Sequence, residues 1–369
     1  MTSASPDVST TPDPTAPADL NASADPAASA DPIAAEGDTV RLGVFLPSTA
    51  AQWTPETDPR EILDFAIRAE RTGLDSLWVT DSLLSPRVEA LTALAAVAAI
   101  TERVILGTGA LLPAFRVPVT AAHTIASVDA LSGGRLVLGV GAGFPGPFGQ
   151  PAYAMAGTPW VNRFKRLDET VALWRRLWTA DEPVSFHGEV LRLDDVTPTM
   201  RPYRPQGPPI WLGGATPAAL ARTGRLYDGW FPYPPEPAGY ATGLATIGEA
   251  AQAAGRGGRP FTPALFVNVL LTDAADGGRA ELDSYTRANY GLPIERMEQV
   301  QAMAAGTPEV VAEKLGRYVA AGARHLVMRV ASLDIASQLA QLDRLVALRP
   351  GLNALLAADG VEGLAVTSR

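Results

Sequence analysis

The stretches ILGTGALLPAFRVP at 105–118 and LSGGRLVLGVGAG at 131–143 each hold an apolar run that ends in glycines, and one helical segment joins them. Strand, glycine-rich exit and helix in this order form a βα unit. In parallel-strand enzymes, ligands bind where such strands end. The glycines therefore indicate either a floor for a flat ligand or tight βα turns without a ligand role.

The same alternation recurs over most of the chain, which has 369 residues. Apolar runs typical of buried strands alternate with helical segments, and a small hairpin is predicted at 186–193. The strand segments are 40–47, 75–81, 104–109, 136–141, 209–212, 228–231, 263–271 and 325–330. Barrels of this size routinely form one domain. The sequence therefore predicts an α/β fold, a TIM-type (β/α)8 barrel with insertions.

Both ends of the chain lie outside the predicted barrel domain, which covers 39–350. Residues 1–38 are rich in Ala, Pro, Ser, Thr and Asp and contain no Lys or Arg, which predicts a disordered tail rather than a targeting peptide. Such a tail could alternatively bind a partner. Residues 351–369 are predicted to form a C-terminal tail. Without a targeting signal, the cytoplasm is the expected compartment.

The composition narrows the class of partner. A formal net charge of −9, with only two lysines, disfavours nucleic acid. There is no cysteine and there are three histidines, so disulfides and cysteine ligands are excluded and a metal site is not expected. The apolar run at 90–100 is too short to span a bilayer. These features favour an enzyme that acts on a small molecule away from membranes.

A second glycine pair follows the strand at 209–212. Gly213 and Gly214 lead through Ala215 and Thr216 into a helix. Exposed amides at a helix N-terminus can bind an anion, and glycines let the anion approach. Thr216 is the expected helix cap. The segment predicts a phosphate site, although the same residues also occur as plain turn chemistry.

Polar side chains near the strand exits are the candidates for chemistry. Asp81, where the second strand meets its loop, could orient a bound ring or cap the next helix. Ser82 follows it, but the sequence shows no histidine partner for a hydrolytic triad. Arg116 could pair with a phosphate or a carboxylate, or stay a solvated surface residue. Asp81 and Ser82 are the catalytic candidates, and Arg116 is assigned to the substrate pocket.

Aromatic residues at or near the strand ends could wall a pocket for an isoalloxazine-like ring, although core packing explains those inside strands equally well. They are Phe45, Trp78, Phe144, Trp211 and Trp230. Phe144 begins a Gly/Pro/Phe-rich segment at 144–160, which predicts a lid over the strand ends or a solvent-exposed insertion. Phe144 and Trp230 join Arg116 as substrate-pocket candidates.

Taken together, these segments resemble the bacterial-luciferase-like superfamily of flavin monooxygenases and deazaflavin-dependent oxidoreductases. The resemblance covers about 40–348 and rests on 41–47, 69–70 with 73–81, 101–118, 131–143, 211–217, 224–230, and 306–308 with 321–330. It implies a barrel that holds reduced FMN or the deazaflavin F-420 at the strand ends. It also implies a small-molecule substrate, often a homodimer, and in some cases a separate flavin or F-420 reductase.

The resemblance further implies positions for the cofactor. The ring lies against the exit of the third strand, where some members have a non-proline cis peptide, here Gly109–Ala110. The phosphate lies at 213–216. The full set of expected cofactor-binding residues is Phe45, Asp81, Gly107, Gly109, Ala110, Gly141, Gly213, Gly214, Ala215 and Thr216.

Three departures from the family pattern bear on the substrate. Many relatives carry Asp-His where this chain has Asp81-Ser82. Sugar-phosphate dehydrogenases of the deazaflavin branch carry glutamate where Phe144 stands. Asn268 lies in the region where alkanesulfonate monooxygenases are expected to have a histidine. These departures favour an apolar or weakly polar organic substrate.

Three functions stay open at this point. The leading one is a monooxygenase-class enzyme, in which the reduced cofactor reacts with oxygen. The alternative is an F-420-dependent reductase or dehydrogenase that transfers hydride without oxygen, and the loop at 107–118 looks more like that branch. The third is a non-catalytic barrel that binds the cofactor.

Overall fold

The computed structural model describes residues 39–144, 149–274 and 276–359, except for the side chains of 357–359. Its strands include all eight segments that the apolar runs predict, together with the hairpin, which is β5–β6. They are β1 (Arg41–Phe45), β2 (Ser76–Val79), β3 (Ile105–Leu111), β4 (Leu136–Val140), β5 (Val184–His187), β6 (Arg192–Val196), β7 (Ile210–Leu212), β8 (Gly229–Trp230), β9 (Thr262–Leu271), β10 (Met303–Gly306) and β11 (His325–Val330).

Eight of these strands close a parallel barrel. Their order around it is β9-β11-β1-β2-β3-β4-β7-β8, and pairing of β8 with β9 closes the ring. β10 pairs only with the second half of β9. Every pair around the ring is parallel, so all eight carboxyl ends open on the same face. The predicted TIM-type (β/α)8 barrel is confirmed.

Helices follow most of the strands and cover the outside of the barrel. They are α1 (Glu61–Arg71), α2 (Ala90–Ala98), α3 (Pro118–Leu131), α4 (Gln150–Met155), α5 (Arg163–Thr179), α6 (Pro217–Leu226), α7 (Pro237–Ala253), α8 (Arg279–Tyr290), α9 (Ile294–Met297), α10 (Pro308–Ala320), α11 (Ile335–Val346) and α12 (Arg349–Asp359). The Glu89 side chain caps α2 and the Thr216 side chain caps α6. Thr216 is therefore the cap that the sequence predicted, whereas Asp81 caps no helix here.

Aromatic rings fill the inside of the barrel, separately from the aliphatic layer between strands and helices. They belong to Phe45, Trp78, Trp211, Phe231 and Phe266, and neighbouring rings have centroids 4.8–6.4 Å apart. Such a filled interior is a packed core rather than a pore. A ligand can therefore enter only above these rings, at the carboxyl ends of the strands.

The inserted segment at 144–160 is only partly described, because 145–148 lie outside the described residues. The remainder contains the short helix α4. Tyr153 of α4 is buried, and its hydroxyl donates a 3.0 Å hydrogen bond to the Ala142 carbonyl oxygen. This hydrogen bond ties the described part of the insertion to the exit of β4.

The boundaries of the domain need one correction. The tail predicted at 351–369 begins inside α12, whose Leu352 is fully buried. The predicted tail at 1–38 lies outside the described residues, which all belong to the larger of two chain units, Ile33–Arg369. None of the helices in the described ranges combines the length and the apolar character needed to cross a membrane.

Candidate functional site

The exits of β3 and β4 lie side by side at the mouth of the barrel, because the two strands pair with each other. The Gly109–Ala110 peptide bond is cis, as the resemblance implies. The register between the two strands shifts after Thr108, and the Gly141 amide donates to the Leu111 carbonyl oxygen at 3.0 Å. Gly109, Ala110 and Gly141 are all partly exposed. These three residues form a narrow, side-chain-poor surface at the mouth, which suits the flat face of a ring.

Gly107 and Phe45 lie one layer deeper and are buried. A Cβ on Gly107 would overlap the Trp78 ring, and a Cβ on Gly109 would lie 2.6 Å from the Phe45 ring. Gly107 therefore lacks a side chain because the interior rings occupy that space. Its burial leaves it less suited than Gly109 to the expected cofactor contact, while Phe45 supports Gly109 from below.

The Asp81 carboxylate holds the loop that follows β3. Its Oδ2 accepts from the Leu112 amide at 2.9 Å and from Arg116 Nη1 at 2.6 Å, and its Oδ1 accepts from Arg116 Nη2 at 3.1 Å. Arg116 also pairs with Glu89. The sequence marked Asp81 as catalytic and Arg116 as a substrate ligand, but the structure pairs them with each other. Both therefore position the β3 loop.

Ser82 lies on an open surface hollow of about 390 Å³ that the loop after β2 lines. Its hydroxyl oxygen accepts from the Leu84 amide at 3.1 Å. No described histidine contacts it, since the described hydrogen bonds of His187 and His325 go to Asp194 and Ser76. Ser82 is thus a loop residue here and has no activating base.

The loop at 213–216 presents backbone amides at the exit of β7. Gly214 has φ +95°, and its carbonyl oxygen accepts from Trp230 Nε1 at 2.8 Å. The Gly213 amide donates to the Val140 carbonyl oxygen, whereas the amides of Gly214, Ala215 and Thr216 have no partner among the described residues. These amides precede the N-terminus of α6, where negative charge is favoured. The arrangement fits an anionic group.

Two arginines at the start of α5, which the sequence analysis did not single out, lie near the exit of β4. Arg163 stacks on Trp160 at 4.0 Å from the ring centroid. The Nε atoms of Arg163 and Arg166 are buried without a hydrogen-bond partner among the described residues. Their positive charges also act on Tyr153, which is bonded to the β4 exit. Their only sequence signal is a basic cluster at the start of α5, which is ambiguous in a solvated helix.

Two of the aromatic pocket candidates have different positions. Trp230 is fully buried outside the ring of strands, where it stacks on Tyr240 of α7 with centroids 4.9 Å apart. Its assignment to the substrate pocket is wrong, and the next residue, Phe231, faces the interior instead. Phe144 is partly exposed at the exit of β4, at the start of the insertion, where the sequence analysis placed it.

The barrel also encloses polar groups that no motif indicated. At the amino-terminal end, His325 is buried, and its Nε2 lies 2.7 Å from Ser76 Oγ. Toward the mouth, Arg329 is 9% exposed and donates from Nη1 to the Tyr290 hydroxyl at 3.1 Å. Asn268, in the adjacent register position on β9, donates from Nδ2 to Gln301 Oε1 at 2.9 Å. No group of described residues has the composition of a metal site.

Comparison with known proteins places this geometry in a family. The model of the luciferase-like monooxygenase family matches residues 40–325, so the chain belongs to that family. Among curated relatives is an F420-dependent glucose-6-phosphate dehydrogenase of Segniliparus rotundus, 31% identical over 306 residues, which are 75% of this chain and 90% of the relative. A protein of the same name from Amycolatopsis mediterranei is 38% identical over 182 residues, 47% of this chain and 53% of the relative. That alignment therefore spans about half of the relative.

Solved structures support the fold. An F420-dependent secondary alcohol dehydrogenase in complex with an F420-acetone adduct has a TM-score of 0.70 and 22% identity, over 85% of this chain and 99% of the other. The oxygenating constituent of 3,6-diketocamphane monooxygenase from Pseudomonas putida, in complex with FMN, has a TM-score of 0.69 and 18% identity, over 85% and 98% of the two chains. At these identities the likeness concerns the fold alone.

Proposed function

We propose that this protein is an F420-dependent oxidoreductase that transfers a hydride between the deazaflavin and a small organic substrate. Of the functions left open by the sequence, this is the alternative to the leading monooxygenase. The observation that carries it is that curated relatives at 31–38% identity are named F420-dependent dehydrogenases. The mouth of the barrel supports the proposal because it offers both a flat surface and an anion cradle.

The residues present fit such a cofactor. Gly109, Ala110 and Gly141 would lie under the ring, and the free amides at 214–216 would bind the phosphate. Arg163 and Arg166 would add positive charge to the anionic part of the cofactor, which gives a role to their unpartnered Nε atoms. When bound, the reduced deazaflavin supplies the hydride. The protein's own task is to orient the ring and exclude water above the filled interior.

Glucose 6-phosphate is not the substrate that we propose for this chain. Ser82 and Phe144 stand where the resemblance implies a histidine and a glutamate. Neither a hydroxyl bonded to a backbone amide nor a phenyl ring can replace those groups in proton transfer. The relatives therefore support the cofactor more strongly than the sugar.

The assembly and the location stay predictions. We infer a homodimer from the resemblance, and exposed apolar side chains on α4 and the start of α5 give it a surface. Met155, Val161 and Phe164 are 64%, 70% and 45% exposed. A separate F420 reductase that supplies the reduced cofactor, and a cytoplasmic location, are proposed on the resemblance and on the absence of a targeting signal.

The phosphate cradle can be tested with two substitutions at one position. Gly214→Asp and Gly214→Ala both place a side chain on a residue with φ +95°, so they share the backbone cost. Only aspartate also brings a negative charge to the free amides. We expect the Kd for reduced F420, measured by fluorescence titration, to rise about 100-fold more in Gly214→Asp than in Gly214→Ala. Equal Kd values in the two variants would show that the cofactor phosphate does not bind at this loop.

A further inference from the structure

The mouth of the barrel contains a buried guanidinium group that the proposed cofactor site does not use. Arg329, the fifth residue of β11, lies with its Cζ 4.7 Å from the Phe45 ring centroid and 5.4 Å from that of Phe266. Its described hydrogen bond goes to the Tyr290 hydroxyl. None of the described carboxylates forms an ion pair with it, which is unusual for a buried charge.

A second arginine approaches the same strand ends from the loop after β2. Arg87 donates from Nη1 to Thr80 Oγ1 at 2.6 Å and from Nη2 to Ser85 Oγ at 2.5 Å. Its backbone forms a bridge with Thr49, in the loop after β1. Arg87 therefore lies over the exits of β1 and β2, while Arg329 lies over Phe45 at the end of β1. Arg87 also lines the 390 Å³ surface hollow of the loop after β2.

Arg87, like Arg329, forms no ion pair with a described carboxylate. Burial, followed by the positive charge of Arg329, lowers the pKa of Arg87 to about 10, so both arginines are charged at neutral pH. The nearby carboxylates, Asp81 and Glu89, are both engaged by Arg116. Arg87 and Arg329 are thus left without an ion-pair partner of their own among these carboxylates.

We propose that Arg87 and Arg329 bind the carboxylate group of an organic-acid substrate. The fork of N–H groups on a guanidinium matches the two oxygens of a carboxylate. A phosphate dianion would cost more to bury beside Phe45 and Phe266 than a carboxylate monoanion. The inference rests on the proposed function, since the acid is the substrate that shares the mouth with the cofactor. An organic acid therefore replaces the apolar or weakly polar substrate that the sequence favoured.

Calorimetric titration of the full-length protein with benzoate, benzamide and phenyl phosphate tests this anchor. Benzoate and benzamide have nearly the same shape, but only benzoate carries the charge. We expect benzoate to bind at least about tenfold more tightly than benzamide, and more tightly than phenyl phosphate. Equal binding of benzoate and benzamide would overturn the anchor. Tighter binding of phenyl phosphate would overturn its assignment to a carboxylate.

Variants separate the two arginines from the general charge of the protein. Arg87→Gln should weaken benzoate about 10- to 100-fold, because it removes a charged hydrogen-bond donor. Arg256→Gln is the matched control, since Arg256 pairs with Asp228 at the amino-terminal side of β8. It should leave the benzoate Kd unchanged. Full benzoate affinity in Arg87→Gln, or equal losses in both variants, would contradict the proposal.

Arg329 provides a second, independent test. Arg329→Gln should weaken benzoate as Arg87→Gln does, and Arg329→Lys should restore part of the affinity because it keeps the charge. If Arg329→Gln does not fold, the benzoate Kd of Arg87→Gln still tests the proposal. The same preparation is titrated with reduced F420. Binding of F420 without preference for benzoate would overturn this inference alone, whereas preference for benzoate without F420 binding would overturn the proposed function and leave the anchor.

Discussion

At the scale of single residues, the glycines of β3 have different roles at different depths. Gly109 is partly exposed at the mouth, whereas Gly107 is buried against the Trp78 ring. The sequence predicted both as cofactor contacts because both belong to the same glycine-rich strand end. Depth within the barrel decides between them, and the spacing of glycines alone does not reveal it.

Gly107→Ala should destabilise the fold. Its methyl group would overlap the Trp78 ring, which is fully buried and cannot move without disturbing the other interior rings. We expect a loss of about 1–3 kcal/mol in the free energy of unfolding, measured by urea denaturation. Gly248→Ala on α7 is the control, because nothing lies within 4 Å of its added Cβ and alanine favours the helix by up to about 1 kcal/mol. A stabilised Gly107→Ala protein would refute this packing.

Side-chain partners at the site were only partly predictable. The sequence located Asp81 and Arg116 at the right strand exits, yet it could not show that two residues 35 positions apart form a bidentate pair. In the two-residue strand β8 it could not tell whether Trp230 or Phe231 faces inward. The sequence does indicate that Arg329 is unusual, because an arginine inside the apolar strand HLVMRV needs a partner. The sequence alone does not identify that partner.

At the scale of elements, strands with long apolar side chains were predictable and small-residue elements were not. β10 reads MAAG, and α7 contains three glycines, so neither has a clear hydrophobic period. Most of α12 lies beyond the predicted domain boundary at 350. Its short apolar run does not distinguish a packed helix from a tail, so the sequence did not predict it. Its contact with the barrel depends on neighbours distant in sequence.

Leu352→Ala should show that α12 belongs to the barrel unit. Leu352 is fully buried, whereas Leu355 on the same helix is 41% exposed. We expect Leu352→Ala to lower the free energy of unfolding by about 3 kcal/mol. Leu355→Ala should lower it by less than about 1 kcal/mol. The free energy of unfolding of both variants is measured by chemical denaturation. Equally small losses in the two variants would indicate that 351–359 form a tail.

At the scale of the whole molecule, ring closure buries polar groups at the base of the barrel. β11 lies between β9 and β1 and brings His325 against Ser76 of β2. Burial, with a smaller contribution from the charge of Arg41, lowers the pKa of His325 to about 3. The fold therefore holds this imidazole neutral, although an unfolded chain would protonate it near pH 6.5.

The lowered pKa of His325 predicts a particular dependence of stability on pH. Below pH 6.5 the unfolded chain binds a proton at His325 that the folded chain does not bind. The contribution of neutral His325 to stability is therefore complete above pH 6.5 and is lost as the pH falls toward 3. His325→Gln does not titrate and serves as the reference. Between pH 6.5 and pH 4, the wild type should lose about 3 kcal/mol more than the variant. Parallel stability curves would mean that His325 titrates normally.

The proposed activity depends on which reduced cofactor the barrel binds. The most direct measurement is an anaerobic titration of the purified protein with reduced F420 and, separately, with reduced FMN, followed by admission of air. We expect reduced F420 to bind at least about tenfold more tightly than reduced FMN, and its complex to consume no oxygen beyond the free cofactor. Tighter binding of FMN with oxygen consumption would overturn the proposed function in favour of a monooxygenase. Binding of neither cofactor would overturn the proposed cofactor site altogether.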